Sequence, residues 1–258
     1  MALALTALTI AACDERAAQT PPPTRAEAIA QELTATSRAL RDGIVAWRRD
    51  GDPSSGDAPP EVAALAARVE RIHRSLAKRR RLAARTLRHL EGRVRAEARD
   101  VIAARRALDV LNRPRPGQKP PKIRRGPPEP ADVLRDHYRE ARRRSGVSAT
   151  LLAAVNLIES DFGRVRNESV AGAQGPMQFM PATWRTYGRG GDVHDPHDAI
   201  LGAARFLAAA GARRDEAGAL YRYNPSPLYV KAVSRYARAM RRDALAYYAF
   251  YASGAGSS

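Results

Sequence analysis

Hydrophobic residues recur every three or four positions through most of the chain, and this spacing predicts α-helices. In the first half, one such stretch covers residues 25–47 and a second begins at Glu61, after a turn-forming segment at 51–60. The second stretch has the seam of a coiled coil, although its phase slips through residues 78–81. We predict two antiparallel helices, the second one long, that form a hairpin over residues 25–112.

The second half is also helical in pattern, and it is separated from the first by a segment rich in proline and glycine. Residues 113–130 favour a linker or a loop strapped over the surface. Residues 131–245 predict a helical domain, with Ser148 and Asp195 as caps at helix starts and Gly146 at a helix end. Residues 246–258 are interpreted as a C-terminal tail. Because alternating β patterns are scarce, the predicted fold class is all-α.

The first 24 residues have the pattern of an export signal followed by a tether. Residues 1–12 are apolar and end in small residues, and Ile10-Ala11-Ala12-Cys13 resembles a bacterial lipobox. We expect Cys13 to be lipidated, the protein to be exported, and the lipid to anchor it to a membrane of the cell envelope. An ordinary signal peptide is the alternative. No Lys or Arg precedes the apolar stretch, which leaves open a start upstream of Met1.

The composition narrows the possible classes of protein. The 258 residues include 44 Lys and Arg against 27 Asp and Glu, a net charge of +17, and 44% are hydrophobic, enough for a core. Cys13 is the only cysteine, so neither an intrachain disulfide nor a cysteine-based zinc site can form. The predicted hairpin is itself basic, with 14 basic and 6 acidic residues over 61–111. This charge is either a solvated helix face or an attraction to anionic polymers or lipid headgroups. No nucleic-acid-binding motif accompanies it, and no nucleic acid partner is expected.

One carboxyl group has the position of a general acid. Leu152, Val155 and Glu159 lie three and four residues apart, so Glu159 is at the edge of an apolar stripe and in the last turn of its helix. Burial and the negative helix end both disfavour the ionised form, so the pKa of Glu159 should rise. A carboxyl that stays protonated near neutral pH can protonate a glycosidic oxygen. A glutamate at a helix end is otherwise ordinary surface charge.

The segments around Glu159 resemble a known family. The motifs are IES-x-FG, S-x-AGAQGPMQFMP-x-TW, the stretch GDVHDPHDAI and a later YRYN, in this order over roughly residues 130–243. Together they resemble the lytic transglycosylase (SLT) domain of the lysozyme superfamily. The resemblance implies a largely helical, lysozyme-like domain that follows the predicted hairpin. It implies no cofactor.

The resemblance also implies a reaction with a single catalytic residue, Glu159. The substrate is the MurNAc-β-1,4-GlcNAc bond of peptidoglycan glycan strands, and the product carries a 1,6-anhydro ring. Glu159 acts first as acid and then as base, while the 2-acetamido group of the sugar attacks the anomeric carbon, so the usual second carboxylate is not required. Asp161, two residues further on, points away from Glu159 and is rejected as a nucleophile. The alternatives are a hydrolytic muramidase that uses the same glutamate, or a wall-binding protein without activity, in which the basic hairpin binds anionic wall polymers.

The substrate-binding residues are carried over from the family motifs. Tyr223 is expected to hydrogen-bond Glu159, Asn224 to hold an acetamido group, and Ser160 to support a sugar contact or to bond its own backbone. Pro225 stands where many relatives carry a small residue, so the geometry of this loop is open. The residues expected to line the saccharide cleft are Gln174, Gly175, Met177 and Gln178.

The remaining polar and aromatic residues have simpler explanations. Asp192, Asp195 and Asp198 lie near His194 and His197, but their spacing is not that of a calcium loop, and no metal is expected. Asp195 is interpreted as a helix cap. Trp184 favours the core over a sugar platform. Three further histidines are interpreted as structural: His73, His89 and His137.

Overall fold

The computed structural model describes residues 24–113 and 122–255. In this part of the chain the regular structure is helical, and the only pairings of β type are two isolated bridges. The all-α prediction is confirmed. The helices are α1 (Arg25–Asp50), α2 (Pro60–Lys78), α3 (Arg80–His89), α4 (Gly92–Leu111), α5 (Ala131–Ser145), α6 (Ala149–Ser160), α7 (Pro181–Tyr187), α8 (Pro196–Ala209), α9 (Glu216–Tyr223), α10 (Pro227–Arg242) and α11 (Ala244–Ala255).

The N-terminal helices differ from the predicted hairpin. The first predicted helix is present as α1, but the second is divided into three helices, α2 to α4. The first break is at Arg79, which has φ −123° and ψ 79° and lies where the hydrophobic phase slips. The second precedes Gly92, whose φ of +49° suits glycine. The breaks let α4 pack against both α2 and α10, which a continuous helix could not do.

The C-terminal residues are a buried helix rather than the predicted tail. Residues 246–255 belong to α11, which packs against α2, α1 and α10. Tyr247, Tyr248, Phe250 and Tyr251 are all buried. The hydroxyl group of Tyr247 donates to the carbonyl oxygen of Ala131 at 2.8 Å, so burial costs it no hydrogen bond. Aromatic residues that bury this much apolar surface favour a place in the core.

A buried carboxylate joins the N-terminal helices to the second half of the chain. Asp100 on α4 is 3% exposed, and its two oxygens accept hydrogen bonds from Arg235, at 2.7 Å, and from Arg242. Both arginines belong to α10, along which α4 lies. The buried hydrophobic residues of both halves form one continuous cluster. The division of the chain into units at residues 24, 112, 130 and 245 stays a prediction.

The described part of the proline-rich segment is strapped along the surface, as one of the two sequence interpretations states. Arg125 pairs with Val165 in an isolated antiparallel bridge. The amide of Gly126 donates to the carbonyl oxygen of Arg164 at 2.9 Å, and the amide of Arg166 donates to that of Arg124 at 3.0 Å. The segment therefore crosses the loop that follows α6, beside the end of the helix that carries Glu159.

Candidate active site at the end of helix α6

The site is built on the last turn of α6, a largely buried helix of the second half. Residues 151–156 of α6 are all buried. The helix ends because Asp161 and Phe162 adopt left-handed conformations, with φ of 54° and 60°. The amides of these two residues donate to the carbonyl oxygens of Leu157 and Asn156, which closes the helix end. Glu159 is thus held on a rigid turn at the edge of the core.

Glu159 is a half-buried carboxyl with one strong hydrogen bond. Its Oε1 accepts from the hydroxyl of Tyr229 at 2.6 Å. Loss of solvation raises the pKa of Glu159 to about 7, and the bond from Tyr229 acts in the opposite direction. Among the described residues, no Lys, Arg or His forms an ion pair with it, and no Asp or Glu contributes to its pKa. Near neutral pH this carboxyl can both release and accept a proton.

The residue that bonds Glu159 is Tyr229, and the prediction that Tyr223 does so is wrong. The Tyr223 hydroxyl donates instead to the carbonyl oxygen of Met177, at 2.6 Å. The two tyrosine rings are parallel within 3° and their centres are 6.4 Å apart. Sequence reasoning missed Tyr229 because it lies in the first turn of α10, outside the motifs that carry the resemblance. Its position after the Ser226-Pro227 helix start was the available signal.

The loop over the site is a tight turn that glycine makes possible. Gln174 and Phe179 exchange two backbone hydrogen bonds, of 2.9 and 2.8 Å. Gly175, inside this turn, has φ +72°, and a Cβ atom there would lie 1.8 Å from the carbonyl oxygen of Val193. Gln178 also has a positive φ, and its side-chain amide donates to the carbonyl oxygen of Gly175 at 3.0 Å. The loop is therefore fixed in one shape.

Two of the predicted substrate-binding residues are buried. Ser160 is 1% exposed; its hydroxyl donates to the carbonyl oxygen of Pro176 at 2.6 Å and accepts from the amide of Gly163 at 2.8 Å. Met177 is fully buried. Neither side chain is placed to touch a sugar, which corrects the expected contacts. Ser160 joins the end of α6 to the loop, and the Met177 carbonyl holds Tyr223.

Gln174 and Asn224 remain accessible in part. Both residues are half-buried. The Gln174 amide donates to Glu168 at 3.1 Å. Asn224 ends α9, and its side-chain amide has no hydrogen-bond partner among residues 24–113 and 122–255. An amide with free donor and acceptor atoms suits an acetamido group.

The Asp161 carboxylate is paired with arginines and not with Glu159. Its carboxylate receives a hydrogen bond of 2.5 Å from Arg125 and lies 4.0 Å from a nitrogen of Arg164. Burial raises the pKa of Asp161, and both arginines oppose that change. Asp161 therefore ties the proline-rich strap to the end of α6.

The acidic and histidine residues near α8 have structural roles. Asp195 caps α8 by accepting from the amide of Asp198 at 2.9 Å, which confirms that prediction. Ligand atoms of Asp195, His197 and Asp198 lie within 4.8 Å of one another. However, Asp198 accepts from the amide of Asp192, and His197 contacts Glu140 at 3.0 Å. These groups are used within the fold.

The other aromatic and histidine side chains named from the sequence also pack within the fold. Trp184 is half-buried and lies 5.1 Å from the ring of Phe179. His73 is buried, and loss of solvation, aided by Arg105, lowers its pKa to about 3, so it is neutral. His137 contacts Glu129 at 3.0 Å.

The helical fold and the half-buried glutamate at the end of α6 define a class: mainly α proteins with a lysozyme-like domain. A comparison with models of known protein families gives a more specific assignment for part of the chain. Residues 136–246 match the family model described as Transglycosylase SLT domain, so this part of the chain is an SLT domain. The match supports a function of the lytic transglycosylase type, on peptidoglycan. No curated protein and no solved structure matches the chain.

The predicted lipid anchor lies outside the described residues, since Cys13 belongs to the segment before residue 24. Within the described ranges, none of the helices combines the length and the apolar character needed to cross a bilayer.

Proposed function

We propose that this protein is a peptidoglycan lytic transglycosylase in which Glu159 alone performs both proton transfers. The observation that carries the proposal is the environment of Glu159, a carboxyl with a pKa of about 7 that contacts Tyr229 and no second acid among the described residues. The reaction cleaves the MurNAc-β-1,4-GlcNAc bond and forms 1,6-anhydro-MurNAc.

The proton moves in two steps. Protonated Glu159 donates to the glycosidic oxygen as the bond to the anomeric carbon breaks, and the sugar's own acetamido oxygen attacks that carbon. Ionised Glu159 then takes the proton of the C6 hydroxyl, whose oxygen displaces the acetamido oxygen and closes the anhydro ring. The carboxyl returns to its protonated form, and no water is consumed.

The surrounding residues hold the sugar and the glutamate in position. Asn224, whose side-chain amide has no partner in the described part of the chain, is assigned to the acetamido group, and Gln174 and Gln178 to the edge of the saccharide cleft. Tyr229 holds Glu159, and Tyr223 supports the loop through Met177.

Substitution of the glutamate tests the proposal. Glu159→Gln keeps the size of the side chain but removes the proton, so solubilisation of purified sacculi should fall at least about a thousandfold. Glu61→Gln, an exposed residue of α2, is the matched control and should keep full activity. Equal cleavage by both variants would remove Glu159 from its role, whereas absence of cleavage by the unsubstituted protein would leave the wall-binding alternative.

The muramidase alternative differs only in the nucleophile. Product masses separate the two reactions, because anhydro-muropeptides are lighter than hydrolysis products by one water. Reducing MurNAc ends as the main product would establish the muramidase.

Export and anchoring at the cell envelope are part of the same proposal. The support is the lipobox-like sequence that ends at Cys13. In a cell that produces the protein, Cys13→Ser should move it from the membrane fraction to the soluble exported fraction. An unchanged membrane fraction would contradict lipidation of Cys13.

A further inference from the structure

A second cavity lies at the other end of the SLT domain from Glu159. It has a volume of about 410 Å³ and is walled by the last turns of α5, α7 and α8. Ser145, one of its lining residues, precedes α6, whereas Glu159 ends it. At 1.5 Å per residue the length of α6 separates the two sites by about 15 Å. None of the residues assigned to the saccharide cleft lines this cavity.

Four arginines line the cavity and no acidic residue does: Arg144, Arg189, Arg205 and Arg213. Arg144 has a partner outside the lining, Glu140, at 2.6 Å. Arg189 and Arg213 are exposed and form no ion pair within 4.0 Å with any described residue. Arg205 is less solvated, and this, with the nearby charges of Arg189 and Arg144, lowers its pKa despite the opposing charge of Asp198. The cluster thus holds positive charges that repel one another.

The negative helix ends at the cavity do not neutralise all of the positive charge of the four arginines. Arg205 donates to the carbonyl oxygens of Tyr187 and Gly188, at 2.6 and 3.3 Å, and so closes the end of α7. Each of the three helix ends carries roughly −0.5 charge, about −1.5 together, against four guanidinium groups. After Glu140 is counted, Arg189 and Arg213 still lack ion-pair partners among the described residues.

The geometry points to a binding site for phosphate groups of an anionic polymer or lipid, formed by these four arginines. A tetrahedral phosphate offers three or four oxygens to several guanidinium forks at once, whereas a carboxylate offers two. The cavity also has the side chain of Thr186 in its wall, a hydroxyl that can donate to the same group. Such a site would hold the enzyme on a phosphate-bearing surface while Glu159 acts on the glycan.

Paired double variants of the full chain test this site. Arg189→Gln with Arg213→Gln removes the two unpaired charges, and Arg185→Gln with Arg214→Gln removes the same charge from neighbouring exposed positions outside the cavity. Calorimetric titration with soluble poly(glycerol phosphate) should show at least about a tenfold weaker affinity for the first pair and less than about a twofold change for the second. Because all four residues are exposed and form no ion pair with a described residue, thermal stability should not change.

Two further titrations show whether the site prefers phosphate to carboxylate groups and whether the phosphate belongs to a polymer or to a lipid. Polyglutamate should bind more weakly than poly(glycerol phosphate), and the two double variants should affect its binding equally. Phosphatidylglycerol vesicles test the lipid source: lipid headgroups use the same site if the first pair also binds the vesicles at least about tenfold more weakly than the second pair does. Equal loss of polymer binding in both double variants, no loss in either, or equal affinity for polyglutamate would overturn the proposal.

Discussion

The hydroxyl of Tyr229 favours the ionised form of Glu159, against the larger effect of lost solvation. Poor solvation raises the pKa of the carboxyl to about 7, and the hydrogen bond of 2.6 Å stabilises the ionised form. Both protonation states are needed, one in each half of the proposed reaction. A pKa near neutrality lets one residue perform both steps.

Replacement of this tyrosine should change the pH profile of the reaction. In Tyr229→Phe the bond that favours the ionised form is lost, so the pKa of Glu159 rises further. The alkaline limb of kcat/KM, where the acid form disappears, should move to higher pH by about one unit, since a bond to a charged group contributes about 1.5–3 kcal/mol. Profiles on purified glycan strands measure the shift.

The matched control for this variant is Tyr221→Phe. Tyr221 lies on α9 and is 48% exposed, so its loss should leave the profile unchanged. A limb that moves to lower pH in Tyr229→Phe would contradict the geometry described for Glu159.

At the scale of elements, the loop between α6 and α7 depends on one glycine more than on another. Gly172 and Gly175 both have positive φ, of +84° and +72°. Nothing lies within 4 Å of a Cβ at Gly172, whereas a Cβ at Gly175 collides with the backbone of Val193. The first position requires glycine for its conformation alone, and the second also requires it for space.

These two glycines give a matched pair of substitutions. Gly172→Ala should destabilise the protein by about 1 kcal/mol, through strain at positive φ. Gly175→Ala should cost about 3 kcal/mol or more and lower activity, because the loop must move away from Val193. Chemical denaturation measures both; equal effects would show that the close approach at Gly175 does not matter.

Many of the helix positions and caps could be predicted from local sequence signals. The caps at Asp195 and Gly146 and the helix that carries Glu159 follow from short-range patterns. The contact between Tyr229 and Glu159 could not be predicted, because α10 must first pack against α6 to bring together residues 70 positions apart. The burial of Ser160 and Met177 likewise depends on the folded loop, since a motif shows which residues are present and not which way they face.

At the scale of the whole molecule, the N-terminal helices are part of one core with the SLT domain. The predicted hairpin failed because its amphipathic pattern does not show that a helix will break to cover another element, as α4 covers α10. The predicted tail failed because its aromatic residues were read without a partner surface, which α1 and α2 provide.

Substitution of Asp100 tests whether the two halves of the chain unfold as one unit. Asp100→Asn leaves two arginines of α10 without their buried carboxylate and should destabilise the protein by about 3 kcal/mol. Asp109→Asn, at an exposed position of α4, should change stability by less than about 0.5 kcal/mol. In urea, unfolding of either variant should follow a single transition. Loss of α1–α4 before α5–α11 would show that the halves fold separately.

Digestion of purified sacculi in ¹⁸O-labelled water tests the central claim most directly, because it asks whether water enters the product. If ionised Glu159 takes its proton from the C6 hydroxyl of the sugar, no water enters the product. The released muropeptides then carry no label and are lighter by one water than hydrolysis products. Incorporation of one ¹⁸O atom at the MurNAc end would contradict the account.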